Sequence, residues 1–224
     1  MTIPYQPALQ QLPIEQVNAL LDDKGCRLGL DCVNWKEQYP YKPLTAVYLA
    51  RTDEMLFVKW HVNGIMLKGV YTNDMDPVHR DSCVEFFCLL ADGRHYTNLE
   101  FNCIGTCSAS RRLNRTEDVV PLTADELESI VRYSSLGSRP FCEIDGQFVW
   151  DLCVGIPLRL LDLDKHHLPQ SIRCNFYKCA DDTLYPHFVS WAPIHTATPD
   201  FHRPEYFADL EIEQNAATEG TENW

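Results

Sequence analysis

Two stretches of the chain, SCVEFFCLL (residues 82–90) and HYTNLEFNCIGTC (residues 95–107), each carry one carboxylate inside an otherwise apolar alternation. A strand sends successive side chains to opposite faces. If Val84, Phe86 and Cys88 face one way, then Cys83, Glu85, Phe87 and Leu89 face the other. In the second stretch Leu99, Phe101 and Cys103 alternate with Asn98, Glu100, Asn102 and Ile104. As neighbouring strands they would set Glu85, Glu100 and Asn102 on one face, with His79 and Asp81 just upstream. Carboxylates and an amide among aromatic rings are what a sugar requires. Its hydroxyls take polar partners in pairs, and its C–H faces take rings. The bland alternative is an amphipathic sheet whose polar face is only solvated, which is common in antiparallel sheets. Two acids on adjacent strands would also serve a glycoside hydrolase, which uses carboxylates about 5–9 Å apart.

The elements that must position these residues are short. In LPIEQVNALLDDKG (12–25) the apolar Ile14, Val17, Leu20 and Leu21 fall at helical spacing and a glycine follows, which predicts a helix. Val47 and Leu49, then Leu56, Val58 and Trp60, predict two strands joined by a turn at RTDE (51–54), and IMLKGVYTND (65–74) predicts a separate short strand. Further strands are expected in 141–157, 171–181, 186–194 and 206–214. In LTADELESIVRYSS (122–135), Thr123 followed by Glu126 is a capping-box pattern and predicts a second helix; IPLRLLDLD (156–164) suggests a helical turn. Many short strands with few helices and no internal repeat predict an all-β protein. Its architecture would be an antiparallel β-sandwich with one or two peripheral helices. One domain is expected over 1–224, its core at about 26–213, with a fraying acidic tail at 214–224.

The formal net charge of −13 argues against nucleic acid and anionic membrane surfaces, both of which demand clustered Lys and Arg. No apolar run approaches the roughly 20 residues that span a bilayer. The opening MTIPYQPALQQLPIEQ has neither a basic start nor an apolar signal core, so a cytoplasmic protein is expected, or an exported one if a leader preceded this sequence. The ten cysteines lack the two-residue gap of a zinc knuckle and read as buried thiols. Positions five apart on a strand face opposite ways, which keeps Cys83 from Cys88 and Cys174 from Cys179. No HxH or HExxH spacing marks a catalytic zinc. The segment SWAPIHTATPDFHRPEYF (190–207), if exposed, would offer a surface to a protein partner; the alternative is a packed loop that closes the sandwich.

Taken in order, HRDSCVEFF, YTNLEFNCIGT, NFYKC, PHFVSWAPI and PDFHRPEYFADLEI resemble family 9 carbohydrate-binding modules, and more closely the bacterial module-like proteins of the wider DOMON-like group. The resemblance implies a β-sandwich of jelly-roll type that binds saccharide chain ends between two aromatic rings without catalysis. It brings structural calcium in some members and no other cofactor. Glu85 matches the family's sugar-binding glutamate and Asn102 its asparagine. The two ring positions hold His79 and Phe201 in place of tryptophan, and the family's strand arginine is replaced by Glu100. Asn175 and Trp191 are further ligand candidates by motif position. The expected activity is therefore noncatalytic binding of a saccharide held by Glu85 and Asn102 between His79 and Phe201. A second acid at Glu100 favours an amino sugar or a metal-bridged ligand.

Overall fold

The computed structural model describes residues 1–214. Its strands are β1 (Thr2–Ile3), β2 (Cys26–Gly29), β3 (Leu44–Arg51), β4 (Met55–Gly69), β5 (Cys83–Leu89), β6 (Tyr96–Asn102), β7 (Cys107–Arg112), β8 (Val120–Pro121), β9 (Val131–Ser134), β10 (Phe141–Pro157), β11 (Ser171–Cys179), β12 (Phe188–Ser190) and β13 (Ala208–Ile212). The helices are α1 (Ile14–Lys24) and α2 (Ala124–Glu128), with a 3-10 turn at Leu158–Leu161 where a helical turn was expected. One sheet runs β1-β13-β11-β5-β6-β7-β8, with β12 also paired to β11; the other runs β2-β3-β4-β10-β9. All pairs are antiparallel except β1 with β13. The fold is a β-sandwich with two short helices, as the strand pattern predicted, and of the jelly-roll type that the family resemblance implied. No helix among the described residues is long and apolar enough to cross a membrane.

The main core lies between the sheets. Val84, Phe86, Leu99, Phe101, Ala109 and Phe176 from the first meet Val47, Leu49, Val58, Trp60, Leu152 and Val154 from the second, all fully buried. Each such side chain contributes about 1.5–3 kcal/mol by leaving water. The period-two alternation read in β5 and β6 is what puts these residues on one face. A second cluster covers the opposite face of the same sheet. Cys83, Phe87, Tyr96, Tyr177 and Cys179 point outward and are roofed by Trp35, Val78, Ile194, Phe201 and Phe207. The 190–207 segment is thus packed through Ile194, Phe201 and Phe207, while Pro193, His195, Ala197, Thr198 and Glu205 stay exposed, and Glu85, Asn98, Glu100 and Asn102 on the covered face are buried. On the far side, α1 lays Ile14, Val17 and Leu21 against Ala50, Phe57 and Cys153 of the five-stranded sheet.

Two expectations are corrected. Residues 65–74 do not form a separate strand, because β4 runs unbroken through Gly64 and pairs with β10 along most of its length. Gly64 is needed there. A Cβ would sit 2.6 Å from the Tyr41 hydroxyl, which accepts the Ile65 N–H at 2.6 Å. The second helix stops at Glu128, and residues 131–134 form β9 on the edge of β10. Its start is as predicted: Thr123 Oγ1 accepts from the Glu126 N–H, and the Glu126 carboxylate accepts from the Thr123 N–H at 2.8 Å. Thr123→Ala is expected to cost about 1 kcal/mol. A thermal midpoint lower by roughly 2–4 °C would report it, and an unchanged midpoint would mean that α2 is held by packing alone.

All ten cysteines are free thiols; seven are buried, Cys26 and Cys32 half-buried, and Cys142 exposed. Past Gln214 the acidic tail lies outside the described residues.

Candidate functional site

Strand pairing sets the site's floor. Glu85 lies opposite Tyr177 on β11 and opposite Glu100 on β6, and Glu100 lies opposite Ser108 on β7. The adjacent row, two residues along each strand, is Cys179, Cys83 and Asn102. Over the Glu85–Glu100–Ser108 row the roof opens into a cleft of about 410 Å³. Its walls come from Met75, His79, Arg112, Asp181, Phe188, Phe201 and His202.

The two acids differ in their surroundings. Glu85 is 3% exposed, and its Oε1 accepts the Cys179 thiol at 3.1 Å and meets the Cys83 sulfur at 4.0 Å. No cation pairs with it among the described residues. Burial, reinforced by the charge of Glu100, pushes its carboxyl well above the ordinary range. Glu100 instead accepts from the Asn98 amide at 2.8 Å and has His79 Nδ1 at 3.7 Å. That carboxylate raises the His79 imidazole above its usual value. His202 is the reverse case. Burial pushes it down to about 4, and its Nδ1 lies 2.9 Å from the Tyr96 hydroxyl. If that hydroxyl donates, the neutral ring keeps its proton on Nε2. Arg112 binds the Arg115 carbonyl and the Ser110 hydroxyl, and Arg115 pairs with Asp200 at 3.6 Å. The cationic groups in the walls are therefore engaged, while the floor keeps an excess of acid.

Of the residues the sequence nominated, the cleft brings together His79, Glu85, Glu100 and Phe201. Phe201 is mostly buried and stacked on Tyr177 at 4.2 Å, so it is a wall and not an open platform. Asn102, Asn175 and Trp191 lie outside the cleft lining. The Asn102 amide donates to the Tyr71 carbonyl and to Asp81, and its oxygen accepts the Ile104 and Thr106 N–H groups. Asn175 is also held within the fold, accepting from the Phe176 and Ala192 N–H groups and donating to the Ala192 carbonyl. Trp191 packs edge-on against Phe176 at the margin of the main core. Sequence reasoning missed His202, Arg112, Asp181 and Cys179. Arg112 and Ser108 share an alternation that was visible in CSASRR, whereas His202 reaches the cleft only through the roof loop.

Among the described residues, one group of three acidic, thiol or imidazole ligand atoms lies within 4.8 Å of one another, that of Cys83, Glu85 and Cys179. Two sulfurs and a single carboxylate do not fit calcium, a hard cation that takes about six to eight oxygens.

A β-sandwich with acids and rings on one sheet face under a loop roof has the form of a carbohydrate-binding module. Residues 15–212 match the model of carbohydrate-binding family 9, and the chain belongs to that family. It is similar to a proposed carbohydrate-binding protein from Bacteroides uniformis, with 32% identity, a TM-score of 0.86, and 95% of this chain and 98% of that one covered. It also shares its fold with a family 9 module from Caldicellulosiruptor kristjanssonii solved with cellotriose, at 10% identity and a TM-score of 0.59 over 100% of this chain and 98% of that one. A structure of a family 9 module from the same organism with glucose gives 11% identity and a TM-score of 0.58 over 96% of each chain. No curated protein matches the chain.

Proposed function

We propose that the cleft above Glu85 and Glu100 binds a saccharide, with the two carboxylates taking its hydroxyls and His79 and Phe201 forming its sides. The observation that carries this reading is the placement of both acids directly opposite each other on the floor of one cleft with an aromatic wall. Family membership supports it, as do the glucose and cellotriose held by modules of the same fold. Asn102 has no part in the contact, because all its hydrogen-bonding capacity is used within the fold. The acid excess favours a neutral or amino sugar over a uronic acid, since a second carboxylate would meet like charge.

Isothermal titration of the protein with glucose, xylose, galactose, glucosamine and β-linked disaccharides tests this. A saturable heat with at least one sugar is expected, weakened by about tenfold or more in Glu100→Gln, which removes a charged acceptor worth roughly 1.5–3 kcal/mol. Flat traces across the panel would overturn the reading. Turnover of a chromogenic glycoside, abolished in Glu100→Gln, would replace it with hydrolysis.

A further inference from the structure

The floor of the cleft holds a donor set that shares only Glu85 with the proposed saccharide contact. Cys83 and Cys179 are directly opposed on β5 and β11, and Glu85 follows Cys83 by two residues on the same face. Its Oε1 faces both sulfurs, at 3.1 and 4.0 Å, and all three ligand atoms lie within 4.8 Å of one another. A tetrahedral ion with metal–sulfur bonds of about 2.3 Å and a metal–oxygen bond of about 2.0 Å spaces sulfur and oxygen by roughly 3.5 Å, between these two values. A second observation is independent of the spacing. Glu85 is almost wholly buried, yet no cation pairs with it among the described residues and its Oε1 is met only by thiols. A carboxyl so placed either keeps a proton or, once ionised, calls for a cation beside it.

We propose that Cys83, Glu85 and Cys179 form a binding site for a thiophilic divalent cation of the zinc class. Two thiolates select such an ion over calcium or magnesium, which take oxygen. Both thiols, and the Glu85 carboxyl where it is protonated, give their protons to solvent as the metal bonds form, and Glu85 binds through Oε1. Glu85 and Cys179 line the cleft, which gives the ion its way in, and three protein ligands leave a fourth position open on that side. The site needs no saccharide, so it and the sugar reading can fail separately.

The test is a titration of the chelator-stripped, phosphine-reduced full chain with cadmium ions, followed through the ultraviolet thiolate-to-cadmium charge-transfer band. A saturable band at one ion per chain, displaced by zinc, is expected. It should vanish in Cys83→Ser and Cys179→Ser and persist in Cys142→Ser, which removes the exposed thiol. Glu85→Gln should weaken binding by more than the roughly tenfold that loss of an outer partner costs. On the wild-type chain, zinc should protect Cys83 and Cys179 from alkylation as read by peptide mass, a measurement that stands even if a serine variant fails to fold. A band that survives in the Cys83→Ser, Cys179→Ser double variant overturns the proposal. So does the absence of a band from the fully reduced chain.

Discussion

Glu85→Gln is expected to weaken saccharide binding while gaining stability at neutral pH in metal-free buffer. The carboxylate sits against two thiols with a second acid directly opposite, and its pKa is raised by burial and then by Glu100. Between the ordinary carboxyl value of 4.5 and the higher folded value, the folded chain holds a proton that the unfolded chain has released. Stability therefore falls as pH rises through that window and stays lower above it. Glutamine keeps the shape and carries no such charge. The variant should melt with the wild type under acid conditions below the window and above it at neutral pH, by something on the order of 1–2 kcal/mol. Its sugar affinity should drop by about tenfold, the worth of one hydrogen bond. Thermal scans at acid and neutral pH with parallel titration calorimetry read both effects. A variant that melts below the wild type at neutral pH would mean that the carboxylate is held by an attraction within the fold.

Asn102→Ala should do the opposite, harming the fold first and the ligand only through it. The side chain is fully buried and makes four hydrogen bonds that fix the turn after β6. It also ties that turn to Asp81, whose Oδ2 already accepts the Val70 and Tyr71 N–H groups. Truncation strips the Ile104 and Thr106 amides of their side-chain acceptor and leaves a small void. A cost of about 3 kcal/mol is expected. For a chain of this length that is a fall of roughly 6–12 °C in midpoint. If Asn102→Ala instead melts like the wild type and loses sugar affinity, the asparagine is a ligand contact and its structural role is minor.

The contrast between these two residues shows how far the sequence could be read. Alternation alone gave the faces of β5 and β6 correctly, because a period of two is a property of the backbone and survives any packing. It set Glu85, Glu100 and Asn102 on one face but could not tell a cleft from a turn support. That difference depends on Tyr71 and Asp81, which come from another part of the chain. The roof was invisible for the same reason. Trp35 and Phe201 meet at 6.1 Å only after folding, and the face they cover looks wet on periodicity. Spacing separates two cysteines of one strand but is silent on neighbouring strands: Cys83 and Cys179 never share a strand, yet β5 and β11 set them side by side. Residues 131–134 carried helix-compatible spacing, and the open edge of β10 recruited them as a strand.

The parallel pairing of β1 with β13 has a consequence for the order in which the molecule assembles. Thr2 bonds Glu211 across a separation of 209 residues, whereas β5, β6 and β7 follow one another as a meander. Closing a long loop costs entropy before the contact returns anything, so the meander can form early and the edge must close last. The floor is intermediate, since Cys179 reaches Glu85 over 94 residues. During synthesis the acids of β5 and β6 can thus be in place while the strand that completes the pocket is still to emerge. Until β13 arrives, β11 carries an unpaired flank over Ser171–Cys174, and β13 and β1 together shield that edge from other chains.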